Sequence, residues 1–208
     1  MTTCETTAPA RRSESASKDG AASASDDSGP SRSCGTPSHD ANEPPDAGAV
    51  IALEFEVCGE LASGVDLDAL QHLSRRAVET AAAGICPGGG VRVRLVGDDE
   101  MEQAHQRYCG VGGTTDVITF DLAEGSSATG DSALDVDLIV CVDEARRQAP
   151  ARGHSIETEL ALYTLHGVLH ALGYDDLDDA SYERMHARED EIFRSIGVGA
   201  AFGRGEQA

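Results

Sequence analysis

Positive charge is scarce in this chain: 16 Lys and Arg stand against 37 Asp and Glu, a formal net charge of −21 over 208 residues. So acidic a balance argues against a protein that holds nucleic acid through a broad basic surface. Long apolar runs are missing as well. None approaches the roughly 18–20 residues of a membrane-spanning helix, which predicts a soluble protein with no membrane partner. Residues 1–30, mostly Thr, Ser, Ala, Asp and Glu, lack the apolar core of a secretory leader. Export is therefore not expected, and the cytoplasm is the expected compartment. The six cysteines (Cys4, Cys34, Cys58, Cys86, Cys109, Cys141) form no CxxC pair. That spacing speaks against a cysteine metal site and, without a leader, predicts free thiols in a reducing compartment.

What is present divides by composition. Residues 1–48 are rich in Ser, Thr, Ala, Pro and Asp and have almost no large apolar side chain to offset the entropy of ordering. They are read as a disordered, low-complexity tail. A folded domain is expected over 49–198, followed by a short C-terminal tail over 199–208. It carries most of the acidity, 29 of the 37 acidic residues lying beyond residue 48.

Within the domain, apolar alternation predicts strands at Val50–Cys58, Gly90–Val96, Val117–Leu122 and Ala133–Val142. Helical spacing predicts helices at Asp66–Gly84, Asp98–Tyr108, Asp143–Gln148, Ser155–Leu172 and Asp178–Ile196. Ser155 stands as an N-cap, and Gly173 and Gly197 stand in the C′ position. The order βαβαββααα makes an α+β (mixed α/β) single domain, a small mixed sheet packed with helices.

The chemistry concentrates in His166-Gly-Val-Leu-His170-Ala-Leu-Gly173-Tyr174-Asp175-Asp176. Two histidines four apart on a helix project from one face and can grip one ion. A glycine three residues later lets the chain turn back, bringing Asp175 or Asp176 under the same ion as an oxygen ligand. Three protein ligands with one open position describe a catalytic zinc rather than a structural one. The flanking Leu165, Val168, Leu169 and Leu172 predict a buried helix, in which an unpartnered histidine pair would be costly. The spacing also matches the metzincin protease pattern HExxHxxGxxH. Those enzymes need a Glu beside the first His as general base, and here that position is Gly167.

HGVLHALGYDD closely resembles the signature H-G-x-L-H-x-x-G-Y-D-H of the YbeY family of bacterial metal-dependent endoribonucleases. Arg94-Leu-Val-Gly-Asp-Asp-Glu-Met101, Thr114-Thr115-Asp116-Val117-Ile118-Thr119-Phe120, Leu134–Val140 and Ala145–Ala149 resemble further segments of the family, and Met185 and Glu189 fit its last helix. The resemblance implies one Zn2+, with His166 and His170 as catalytic ligands that act through the metal. The family's third histidine maps onto Asp176, a carboxylate that still suits zinc but should leave its bound water less acidic. His186 is a conceivable substitute ligand. A family arginine that suits phosphate binding maps onto Cys109, so Arg107, Arg146 or Arg152 would have to supply the charge. Asp175 is read either as an acceptor that orients a histidine or as a turn carboxylate. Thr115 and Asp116 are read as site wall or as turn chemistry.

The implied function is zinc-dependent, single-strand-specific cleavage in 3′ end maturation of small-subunit ribosomal RNA and in ribosome quality control. The implied partners are single-stranded ribosomal RNA and the small ribosomal subunit or its associated proteins, and DNA is not expected. The alternatives are a ribosome-associated maturation factor that keeps the metal but cuts poorly and, less favoured because of Gly167, a metzincin-like protease. A local basic groove among Arg75, Arg76, Arg92, Arg94, Arg107, Arg146, Arg147 and Arg152 would reconcile RNA with the acidity.

Overall fold

The structure is a computed structural model and describes residues 4–5, 50–57, 63–123 and 133–202. The rest of the expected N-terminal tail, residues 203–208 and Cys58 lie outside the described residues. The elements are β1 (Cys4–Glu5), β2 (Val50–Val57), α1 (Leu67–Ala82), β3 (Gly88–Val96), α2 (Asp98–Cys109), β4 (Val117–Asp121), β5 (Leu134–Cys141), α3 (Val142–Arg152), α4 (Ile156–Ala171) and α5 (Asp179–Ser195). From Val50 onward this is the expected βαβαββααα order.

The strands form one mixed sheet in the order β1-β4-β5-β3-β2, in which only the β4–β5 pair is antiparallel. Register decides which residues meet. Val91 opposes Val136, Val93 opposes Leu138 and Leu95 opposes Val140. Their period-2 alternation puts all six on one buried face. The intervening Arg92 faces the other way, where it pairs with Asp135 at 2.6 Å and with Asp137. Strand β3 begins two residues earlier than alternation predicts. Gly88 and Gly89 run on at φ 145°, and a Cβ on Gly89 would lie 2.0 Å from the Leu134 carbonyl oxygen. Only glycine allows β3 and β5 to approach so closely there.

Helix α3 also outruns its prediction, continuing through Pro150 to Arg152 before Gly153 closes it in the left-handed region. The expected stop before proline reflects a local preference. A tertiary contact acts against it, because Arg152 at the helix end binds the buried Glu159 at 2.5 Å. Helix α4 lies at the centre, packed on α1, α3, α5, β4 and β5, with every residue from Glu159 to Ala171 buried. Its N-cap is Ser155, whose Oγ accepts from the Thr158 N–H at 3.2 Å. Ser155→Ala should lower stability by about 1 kcal/mol. A thermal midpoint about 2–4 °C lower is expected for a domain of this size, and an unchanged midpoint would show the cap to be redundant.

Among the described residues no helix is long and apolar enough to cross a membrane. Cys86 and Cys141 are free, but Cys109 is disulfide-bonded, which corrects the expectation of free thiols at that position. Which sulfurs come within bonding range is set by the fold, not by their spacing along the chain.

Candidate metal centre

Helix α4 carries His166 and His170 on adjacent turns, and their Nε2 atoms converge to 3.2 Å. After Leu172 the chain reverses at Gly173, which adopts φ 89°. The reversal is tied by Gly173 N–H to the His170 carbonyl at 2.9 Å and Tyr174 N–H to the Leu169 carbonyl at 3.0 Å. These bonds return the chain beneath the histidines. Asp176 then lies with its Oδ2 at 3.8 Å from His166 Nε2 and its Oδ1 at 3.9 Å from His170 Nε2. The three side chains offer donor atoms that all lie within 4.8 Å of one another.

Each imidazole is oriented by a partner on its other nitrogen. Nδ1 of His170 donates to the Tyr174 carbonyl at 3.1 Å, and Nδ1 of His166 donates to Glu189 Oε1 at 2.7 Å. A carbonyl and a carboxylate can only accept, so both Nε2 lone pairs face the gap above Asp176. Two nitrogens held by one tetrahedral zinc stand roughly 3.3 Å apart. The observed 3.2 Å fits that span, while the carboxylate must close by about half an ångström. Two neutral nitrogens and one carboxylate, almost fully buried, thus fit a divalent ion. Asp175, next to Asp176 in the chain, bonds within its own turn. Its Oδ1 accepts from the N–H groups of Asp176 at 2.7 Å and Leu177 at 3.1 Å, which is turn chemistry.

Glu189, which the sequence placed only as a fit to the family's last helix, stands behind His166. It is fully buried on α5, 23 positions from His166, with Oε1 on His166 and Oε2 on Nδ1 of His186 at 2.5 Å. Burial pushes its carboxyl up, but hydrogen bonds from His166 and His186 outweigh this and hold it below the ordinary carboxylate range. A signal did exist: Glu189 stands on the same helical stripe as Met185, Ile192 and Phe193, where an acid must have a partner. His186 reaches this carboxylate rather than the ion gap, and its ring centroid is 6.3 Å from that of His166.

Gly167 faces the sheet. A Cβ there would lie 2.6 Å from Leu138 Cδ2 and 2.8 Å from Thr119 Oγ1. A larger side chain at this position requires Leu138 and Thr119 to shift in the packed sheet face, so the general base of the protease pattern is disfavoured there.

A cleft of about 320 Å³ is lined by Thr114, Thr115, Asp116, Glu144, Gln148, Arg152 and Tyr163, the last three residues ahead of His166 on α4. Asp116 Oδ1 accepts from Thr115 Oγ1 at 3.0 Å and from the Val117 N–H at 2.9 Å, shaping the wall. Burial, aided by the negative charges of Glu159 and Asp116, pushes the Tyr163 phenol above its ordinary value, so it remains a donor. Arg152 is the basic residue in this wall. Arg146 is held by Asp143 and the Ser63 carbonyl, and Arg107 sits by the Tyr108 ring and lines a separate hollow on α2. Of the eight arginines expected to form a local basic groove, five are already paired with acids: Arg92, Arg94, Arg146, Arg147 and Arg152.

The family model described as Endoribonuclease YbeY matches residues 60–197. An Endoribonuclease YbeY of Salinispora tropica is 34% identical over 152 residues, covering 69% of this chain and 96% of that protein. One of Macrococcus caseolyticus is 35% identical over 138 residues, covering 64% and 90%. The solution structure of TM1509 from Thermotoga maritima has a TM-score of 0.44 at 22% identity, covering 76% of this chain and 99% of its own. The matched segment runs from before α1 to the end of α5 and contains His166, His170, Asp176 and Glu189. The chain that builds this histidine–carboxylate centre belongs to the endoribonuclease YbeY family.

Proposed function

We propose that this chain is a zinc-dependent, single-strand-specific endoribonuclease. It acts in ribosomal RNA processing, at the 3′ end of small-subunit rRNA, and in ribosome quality control. The observation that carries the reading is the convergence of His166 Nε2 and His170 Nε2 at 3.2 Å above Asp176. When bound there, zinc lowers the pKa of water and offsets charge on a phosphoryl oxygen. The chain's own residues do the rest. His166, His170 and Asp176 hold the ion, and Thr115, Asp116 and Tyr163 shape the polar cleft that receives the strand. Arg152 faces the cleft with side-chain exposure of 25% and offers a guanidinium to a phosphate.

RNA affinity should be weak and fall with salt, since five of the eight candidate arginines are already paired with acids. The small ribosomal subunit or a protein on it then supplies much of the targeting. Residues 49–198 are taken as the working domain.

The test is to measure bound zinc and single-stranded RNA cleavage on the purified chain. Asp176→Ala should weaken zinc at least about tenfold, and full affinity in that variant would remove Asp176 from the ligand set. Asp176→His should raise cleavage, since a neutral ligand leaves more positive charge at the centre. A second reading, a ribosome-associated factor that cuts poorly, draws on Cys109, a disulfide sulfur where the resemblance places an arginine. Stoichiometric zinc without RNA cleavage would favour it.

A further inference from the structure

Both oxygens of Glu189 are occupied by imidazole nitrogens, His166 Nδ1 at 2.7 Å and His186 Nδ1 at 2.5 Å. His186 makes no other hydrogen bond among the described residues, for its Nε2 is buried and without a partner. Its ring is clamped instead, Tyr182 meeting it edge-on at 4.0 Å and Phe202 lying against it at 4.0 Å. Phe202 is anchored in turn by its N–H on Asp190 Oδ1 at 2.8 Å and by the Arg152 guanidinium 5.1 Å from its ring centre. Residues of the expected C-terminal tail thus form the outer wall of a histidine whose single polar contact is Glu189.

A neutral imidazole divides between two tautomers unless its surroundings choose one. For His166 the choice matters, since only the form with its proton on Nδ1 presents Nε2 as a donor to a metal. A carboxylate anchored through one oxygen can rotate out of the imidazole plane. One anchored through both cannot, and the second anchor here is His186. We infer that Glu189 and His186 are positioning residues that act together to lock His166 in its metal-binding tautomer and orientation. This rests on the metal reading above and adds to it a residue, His186, that touches neither the ion gap nor the cleft. Outer partners of this kind change metal affinity by about 10–100-fold.

The experiment has two arms on the full chain. In the zinc-free protein, long-range 1H–15N correlation reports the protonation of each ring nitrogen of His166. In the second arm, zinc affinity is measured by competition with a chromophoric chelator. His186→Phe keeps the aromatic packing and removes the hydrogen bond. It should convert His166 to a mixture of tautomers and weaken zinc roughly tenfold, whereas His186→Gln, whose amide can donate to Glu189, should recover much of both. Glu189→Gln should have the larger effect, because an amide cannot accept from two histidines at once. A His186→Phe protein that folds and keeps both the His166 tautomer and the zinc affinity of the parent overturns the inference. If the parent binds no zinc, the metal reading fails instead, and the tautomer arm still decides the role of His186.

Discussion

His170→Ala should abolish stoichiometric zinc binding and lower single-stranded RNA cleavage by about 10³-fold or more. The estimate rests on the several kcal/mol of charge stabilisation that a bound ion supplies, at 1.36 kcal/mol per tenfold in rate. His170 contributes one of two nitrogens in a gap closed by a single carboxylate. Its loss leaves His166 and Asp176 as a two-point site. The ring is also nearly fully buried and hydrogen-bonded to the Tyr174 carbonyl, so some stability is lost with it. Bound zinc measured by mass or atomic spectroscopy separates the two effects, because a folded variant with no zinc and no cleavage places the defect at the metal. Cleavage persisting at the parent rate in a zinc-free preparation would sink the zinc dependence.

Gly167→Glu is expected to destabilise the domain rather than create a peptidase. The position faces Leu138 and Thr119 with less than a normal contact distance to spare. Overpacking of this kind costs about 1–3 kcal/mol, and an unpaired carboxylate on a buried face adds to it. A loss of about 4 kcal/mol corresponds to a thermal midpoint lower by about 8–16 °C. Gly167→Ala should show the steric part alone. A melting curve within 2–3 °C of the parent for Gly167→Glu would mean that α4 can lift off the sheet at that point, and would reopen the protease alternative. No gain of casein hydrolysis is expected from either variant.

The pair His166 and His170 was legible because helical spacing alone puts residues four apart on one face. Gly173 was legible as the reversal, since a left-handed residue after a helix is what glycine supplies most readily. The boundaries that moved were those where non-local contacts outweigh local preference. Strand β3 gained two glycines because β2 pairs with both and β5 with Gly89, and α3 passed Pro150 because Glu159 holds Arg152. Charge was the least predictable. A list of arginines suggests a basic groove, but their neighbours across the sheet and along α3 are acids, and the positive field is neutralised where it arises.

By itself the sequence determined the order of elements, the buried helix with its two histidines, the turn that returns a carboxylate to them, and the family to which those residues belong. Periodicity, capping and short-range spacing are properties of neighbouring residues, so they can be read along the chain. Only the tertiary structure decided that Asp176 lies under both nitrogens while Asp175 serves the turn, that Glu189 and His186 stand behind His166, and that Gly167 packs tightly against Leu138 and Thr119. Those outcomes depend on which side chains meet across α4, α5 and the sheet. Packing settles them through contacts tens of residues apart, and no local pattern carries that information.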